Sequence, residues 1–245
     1  MSNIKIPILM YHSIESMPKS TVMRSLHVPP RRFEFQMWML KVLGYEALSL
    51  KKLKPYLDGN KYGKVVGITF DDGYQNNLIN AAPVLRKYNF SATCYLVSDS
   101  VGSSNTWDLD KGITQRPLMT ENEIYEWLNL GMDIGAHTKT HVDLTCVSEK
   151  KAQKEINDCK TDLENLFKVS VTDFCYPFGR FNESVCNMTK DSGYLSATTM
   201  HRGRANSQSN RYMLPRIPIN HRTLPHLFLA KILTKYEDRR QFQTY

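Results

Sequence analysis

The chain lacks the features that define several large classes of protein. It has no run of about 18 apolar residues, so no transmembrane helix is predicted. Near the N-terminus the apolar run covers only residues 6–10, which is shorter than the core of a signal peptide. We therefore expect a cytoplasmic protein, and a place of action at the inner face of the membrane is compatible with this expectation.

Cysteine is scarce and shows no pairing pattern. The 5 cysteines include no C-x-x-C spacing, and an odd number cannot pair completely. This pattern favours free thiols in a reducing compartment over a disulfide framework.

The composition is that of an ordinary folded domain. Hydrophobic residues make up 41% and charged residues 23% of the 245 residues, which excludes a mainly disordered chain or a coiled coil. We predict one domain over residues 1–245. The net charge is +8, but no nucleic-acid-binding motif accompanies it, so nucleic acid is not an expected partner.

Strand-like and helix-like segments alternate along the chain, which predicts an α/β fold with a parallel sheet. We predict helices over residues 76–88, 120–130, 148–167 and 224–242, and two long polar loops, 98–119 and 201–211, bordering the site. The predicted strands cover residues 6–12, 46–50, 65–70, 92–97, 132–137, 172–178, 196–200 and 214–219.

Polar side chains follow many of these strands, at the sheet edge where α/β proteins carry their sites. The first strand ends at His12, and Asp71 and Asp72 follow the third. His137 and His141 have the i, i+4 spacing of one helical turn. Two histidines and an aspartate can hold a catalytic metal, although an Asp-Gly turn and two exposed histidines would also explain these residues.

Together the motifs resemble the polysaccharide deacetylase family, also called the NodB-homology domain or carbohydrate esterase family 4. The matching stretches, in chain order, are LMYHSI at 9–14, TFDDG at 69–73, HTKTH at 137–141, YPFG at 176–179 and LPRIP at 214–218. The resemblance implies a distorted (β/α) barrel.

The resemblance also implies a divalent metal, usually zinc, bound by Asp72, His137 and His141. Asp71 would be the general base for a metal-activated water, and the backbone N–H of Phe178 would bind the oxyanion. The implied reaction is hydrolysis of an N-acetyl (acyl) group from an amino sugar. Thr138 matches a hydroxyl residue that supports the histidine loop.

The sequence departs from the family pattern at two places. The arginine that orients the catalytic aspartate is replaced by Cys175, and Arg216 is a candidate substitute from another strand. His221 is the nearest match to the family's acid histidine, with imperfect spacing. A surface arginine and a loop histidine without a catalytic role are the alternatives.

Aromatic residues near the motifs are candidates for sugar binding. Trp107 and Asp108 would form a stacking platform with a hydroxyl acceptor, and Tyr74, Tyr176 and Pro177 would line the cleft. Packing of the loop or of the core would explain the same residues.

The positive charge is concentrated in residues 201–222, which contain five arginines and no acidic residue. This favours a substrate with a negative group, such as a lipid-linked or nucleotide-linked N-acetylated sugar, over a neutral polysaccharide or oligosaccharide. A solvated basic loop is the alternative. A deformylase of a lipid-linked aminosugar and a non-catalytic carbohydrate-binding protein on the same scaffold also remain open.

Overall fold

The computed structural model describes residues 4–240 and contains a barrel of parallel strands. In chain order the strands are β1 (Ile8–Tyr11), β2 (Glu46–Leu48), β3 (Val65–Phe70), β4 (Thr93–Leu96), β5 (Asp133–Ala136), β6 (Asp173–Cys175), β7 (Ser196–Arg202) and β8 (Leu214–Pro218). Each overlaps a predicted strand, and β7 extends two residues beyond its prediction. All residues of β3 and β4 are buried, as strands covered on both faces require.

The sheet closes because β1 pairs with both β8 and β3. Within residues 4–240 the ring therefore runs β1-β8-β7-β6-β5-β4-β3 and returns to β1, while β2 pairs with β3 beside it. Every one of these pairings is parallel, so the carboxyl ends of the ring strands meet at one edge. The predicted α/β fold, a distorted (β/α) barrel, is confirmed.

Helices surround the barrel and bury one face each against it. The long helix α5 buries Ala152, Ile156, Cys159 and Leu163, at the helical spacing that predicted it. None of the helices in the described residues combines the length and hydropathy needed to span a bilayer. The α-helices are α1 (Pro30–Val42), α2 (Leu50–Leu57), α3 (Ala82–Lys87), α4 (Glu121–Asn129), α5 (Glu149–Phe167), α6 (Glu183–Asp191) and α7 (Pro225–Leu233).

The structure corrects two helix predictions. The segment predicted over 76–88 begins as a π-helical stretch, Asn77–Ala81, before α3. The C-terminal helix ends at Leu233, where Thr234 adopts an extended conformation. Residues 241 and 242 of the predicted helix lie outside the described residues. Helices α1, α2 and α6 were not predicted. In α1, Phe35, Trp38 and Val42 are exposed and obscure the polar face of the helix.

The two long loops lie in different places. The 98–119 loop contains a 3₁₀ turn, Thr106–Lys111, whose residues face the carboxyl edge of the barrel. The 201–211 loop was predicted to border the site, and this is wrong. Ala205 pairs with Ile6, just before β1, and Arg211 pairs with Asp58 after α2, so the loop descends to the opposite end of the barrel.

Candidate active site

A cavity of about 370 Å³ opens at the carboxyl edge of the barrel and collects most of the predicted site residues. It is lined by residues that follow six of the ring strands. The predicted residues on its wall are Asp71, Asp72, Trp107, Asp108, His137, His141, Tyr176, Phe178 and Arg216. Residues far apart in the chain therefore meet here because their strands end at the same edge.

Asp72, His137 and His141 form a compact set of potential metal ligands. The Asp72 Oδ1 atom lies 3.5 Å from Nε2 of His137 and 3.4 Å from Nε2 of His141. All three residues are buried. Two ligands of a tetrahedral zinc ion, each about 2.1 Å from the metal, are roughly 3.4 Å apart, so the spacing fits such an ion.

Hydrogen bonding prepares the first histidine for this role. The Nδ1 atom of His137 lies 2.7 Å from the backbone oxygen of Cys175, to which only a protonated nitrogen can donate. The neutral tautomer that makes this bond leaves the lone pair on Nε2, the atom that faces Asp72. Burial alone would raise the pKa of Asp72, but the two histidines hold it well below its ordinary value. The donor set therefore fits a divalent cation.

The neighbouring carboxylate, Asp71, has a different environment. The guanidinium of Arg216 binds it in a bidentate manner, with Nη1 2.6 Å from Oδ1 and Nη2 2.8 Å from Oδ2. Both side chains are buried. Burial by itself would raise the pKa of Asp71, but Arg216 and His12 lower it below the ordinary value. Asp71 is therefore held ionised.

Arg216 is in turn fixed by three further contacts. It donates to the backbone oxygen of Thr199 at 3.0 Å and to Thr69 Oγ1 at 3.1 Å, and its Nη2 lies 3.2 Å from the sulfur of Cys175. The thiol that stands in place of the motif arginine thus contacts the arginine that binds Asp71.

Backbone strain is concentrated at this edge. Asp72, Thr138, His141 and Phe178 have φ values of 74°, 64°, 60° and 57°, a region that side-chain-bearing residues seldom adopt. The hydroxyl of Thr138 accepts a hydrogen bond from the His141 amide at 3.0 Å and so holds the histidine turn. Strain of this kind is typical of sites whose geometry the surrounding structure imposes.

Trp107 is packed against a metal-ligand candidate. Its ring stacks on the His141 imidazole with centroids 4.5 Å apart and an interplanar angle of 18°. One face of the indole is therefore covered by protein. Beside it, buried Asp108 accepts from Asn105 and pairs with Lys111 at 3.0 Å.

Three predicted residues do not line the cavity. Tyr74 is buried, and Pro177 is the buried first residue of the 3₁₀ turn Pro177–Gly179. His221 follows Asn220, which does line the cavity, and its backbone oxygen accepts a hydrogen bond from Arg32.

His12 lies in the cavity, although the sequence analysis assigned no role to this residue. Its Nε2 atom is 3.8 Å from Oδ2 of Asp71, and the side chain lines the cavity. The signal in the sequence was its position at the end of the first strand. The pairing of β1 with β3 then sets it beside Asp71.

A closed parallel barrel whose carboxyl edge carries paired carboxylates and two histidines defines a barrel enzyme. The sequence profile of the polysaccharide deacetylase family matches residues 58–197. The chain is also 34% identical over 218 residues to YxkH of Bacillus subtilis (strain 168), covering 88% of this chain and 72% of that protein. The chain belongs to the polysaccharide deacetylase family and is a hydrolase.

Other relatives agree with this assignment. A poly-beta-1,6-N-acetyl-D-glucosamine N-deacetylase of Staphylococcus aureus (strain N315) is 29% identical over 212 residues, covering 85% of this chain and 73% of that one. The structure of the Streptococcus pyogenes deacetylase PplD in complex with acetate superposes with a TM-score of 0.82 at 28% identity, covering 94% of this chain and 99% of that one. The polysaccharide deacetylase BC0361 of Bacillus cereus gives 0.80 at 30% identity, covering 94% and 69%.

Proposed function

We propose that this protein is a metal-dependent hydrolase that removes the N-acetyl group from an amino sugar within a polysaccharide or oligosaccharide. The observation that carries the proposal is the placement, in one cavity, of a three-residue metal-ligand set beside a separate carboxylate bound by a buried arginine. The substrate class is supported by the relatives, one of which is named as an N-deacetylase of an N-acetylglucosamine polymer.

Asp72, His137 and His141 would hold the divalent cation, and their two nitrogens and one oxygen suit zinc. When bound, such an ion polarises a carbonyl oxygen and lowers the pKa of a water molecule.

Asp71 is the general base in this proposal. Because Arg216 holds the carboxylate ionised, Asp71 can accept the proton of the attacking water at neutral pH. Water adds to the amide carbon, the C–N bond breaks, and the products are acetate and the free amino sugar. The backbone N–H of Phe178, on the cavity wall, would stabilise the oxyanion.

The departing amine needs a proton, and we assign its donor as His12. The side chain lines the cavity 3.8 Å from Asp71, whereas His221 does not line it. The acid role predicted for His221 thus has less support than the same role for His12.

A carbohydrate-binding protein without activity would have no need of Asp71 and Arg216 beside the ligand set. The cytoplasmic location stays a prediction.

Release of acetate from an N-acetylglucosamine oligomer tests the proposal. Asp71→Asn is expected to keep the bound metal and to lose about 10²–10⁴-fold in rate, because it removes only the base. His137→Ala should lose the metal, measured by elemental analysis. The matched control is Asp191→Asn at an exposed aspartate, which should keep both. Normal turnover by Asp71→Asn would refute the assignment of the base.

A further inference from the structure

The arginines that made residues 201–222 basic are mostly neutralised in the folded protein. Four of the five bind carboxylates, so they offer no free guanidinium to a substrate. The pairs are Arg202–Glu237, Arg204–Asp238, Arg211–Asp58 and Arg216–Asp71, with N···O distances of 2.6, 2.8, 3.3 and 2.6 Å.

The fold instead brings the fifth arginine, Arg222, and two arginines from earlier in the chain to the mouth of the active-site cavity, around His221. Arg32 of α1 donates to the backbone oxygen of His221. Arg222 is the next residue, and its amide donates to the Asn220 side chain on the cavity wall at 2.9 Å. Arg24 lies between Met23 and Ser25 in the chain, and both of these residues line the cavity. We call Arg24, Arg32 and Arg222 the rim cluster.

No carboxylate pairs with the rim cluster among residues 4–240. Arg24 uses its Nε to donate to the backbone oxygen of Met17 at 3.2 Å, and Arg222 is exposed. The nearby acidic side chains are engaged elsewhere: Glu15 pairs with Arg116 at 3.3 Å and Glu34 with Lys87 at 2.8 Å.

The positive charges of the rim cluster act on the imidazole of His221, which lies among them. Burial lowers the pKa of His221, and Arg24, Arg222 and Arg32 lower it further. An anion at the rim would relieve this accumulation of like charge.

We propose that the rim cluster is a binding subsite for an oxyanion carried by the glycan substrate, either a phosphate ester or a carboxylate. This inference rests on the proposed deacetylase function. Guanidinium groups bind both anions through paired N–H donors, and a neutral sugar offers them no comparable partner. The reacting N-acetyl group would occupy the cavity while the anionic substituent, on the same or an adjacent sugar, reaches the rim.

Three N-acetylglucosamine tetramers of equal length test this proposal: one neutral, one phosphorylated at a terminal 6-hydroxyl and one oxidised there to a carboxylate. At low salt the wild-type protein should favour an anionic tetramer in kcat/KM by about tenfold. The preference should fall steeply by about 0.5 M salt, because partly exposed charges are screened. Comparing the two anionic tetramers distinguishes phosphate from carboxylate.

The Arg24→Gln/Arg222→Gln double variant should reduce the ratio of anionic to neutral kcat/KM to about one. Arg31→Gln is the matched control, because Arg31 is exposed on the same helix as Arg32 and makes none of these contacts; it should retain the ratio. Unchanged thermal melting would show that the variants fold. A wild-type ratio near one, or an equal loss in Arg31→Gln, would overturn the proposal.

Binding separates this inference from the proposed activity. The Asp71→Asn variant should bind the favoured anionic tetramer about tenfold more tightly than the neutral one in calorimetry, even though it does not turn over. If no tetramer releases acetate but this preference persists, the deacetylase proposal fails and the subsite stands. If acetate is released without any preference in rate or binding, the subsite fails alone.

Discussion

Replacing Arg216 by methionine is the most direct test of how the site is stabilised. Arg216 is 1% exposed and Asp71 3% exposed, and the two form a bidentate pair. Arg216→Met keeps much of the apolar volume of the side chain. It leaves the buried Asp71 carboxylate without the guanidinium that donates two hydrogen bonds to it. It also leaves Thr69 and the Thr199 carbonyl without their donor.

The expected loss in the free energy of unfolding at neutral pH is about 3–5 kcal/mol, the usual result of removing one partner from a buried ion pair. For a chain of this size that corresponds to a fall in melting temperature of about 6–20 °C. The Arg216→Met/Asp71→Asn double variant no longer buries an unpaired charge. It should therefore be more stable than Arg216→Met alone by about 1–3 kcal/mol.

Urea denaturation of the four proteins in the double-mutant cycle measures these differences. Excess chelator is needed, since a metal that binds only the folded state would add to the apparent stability. Arg180→Met is the control, because Arg180 is 66% exposed in its pair with Asp143 and its removal should change stability little. The reasoning is wrong if the double variant is less stable than Arg216→Met, or if Arg216→Met unfolds at the wild-type urea concentration.

Three further predictions concern residues around the site. The pKa of His27 is about 4 in the folded state and about 6.5 in the unfolded state, so between these values only the unfolded state binds the proton. The free energy of unfolding should therefore fall as the pH drops from about 6.5 to 4, by at most about 3 kcal/mol. Thermal melting at a series of pH values should show that His27→Gln removes this dependence. Gly179→Ala would bring its Cβ 2.5 Å from Met200 Cβ and 2.7 Å from the Met200 amide, so the turn must shift and deacetylation should fall at least tenfold. Trp107→Ala removes the ring stacked on His141 and should weaken zinc binding by about 10–100-fold in competition with a chelator, with Trp107→Phe restoring most of it.

Each of these has a matched control in the chain. His226→Gln removes an exposed histidine and should leave the pH dependence in place. Gly112 has φ of +66°, against +65° for Gly179, but nothing lies within 4 Å of an added Cβ, so Gly112→Ala isolates the cost of the backbone conformation. Trp38→Ala removes a tryptophan that is 44% exposed, far from the ligand set, and should not change zinc affinity. Equal effects in variant and control would contradict the corresponding prediction.

The sequence by itself determined the features that depend on local spacing. The repeat of apolar residues predicted α5. The helix predicted over 120–130 is α4, and in the structure Thr120 and Glu123 form the capping box at its start. The alternation of strands and helices predicted an α/β fold with a parallel sheet, and the family resemblance implied that this sheet closes into a barrel. The potential metal ligands were also found from local pattern, since polar residues directly after buried strands must lie at one edge of a parallel barrel.

Only the tertiary structure decided which distant charges meet. Arg216 and Asp71 are separated by 145 positions, and their pairing follows from closure of the barrel, which sets β1 between β8 and β3. The same closure places His12 against Asp71. Net charge along a segment could not show that four arginines of residues 201–222 are neutralised by partners elsewhere in the chain. Charge pairing depends on distances of a few ångströms, which strand register and loop paths fix and linear spacing does not.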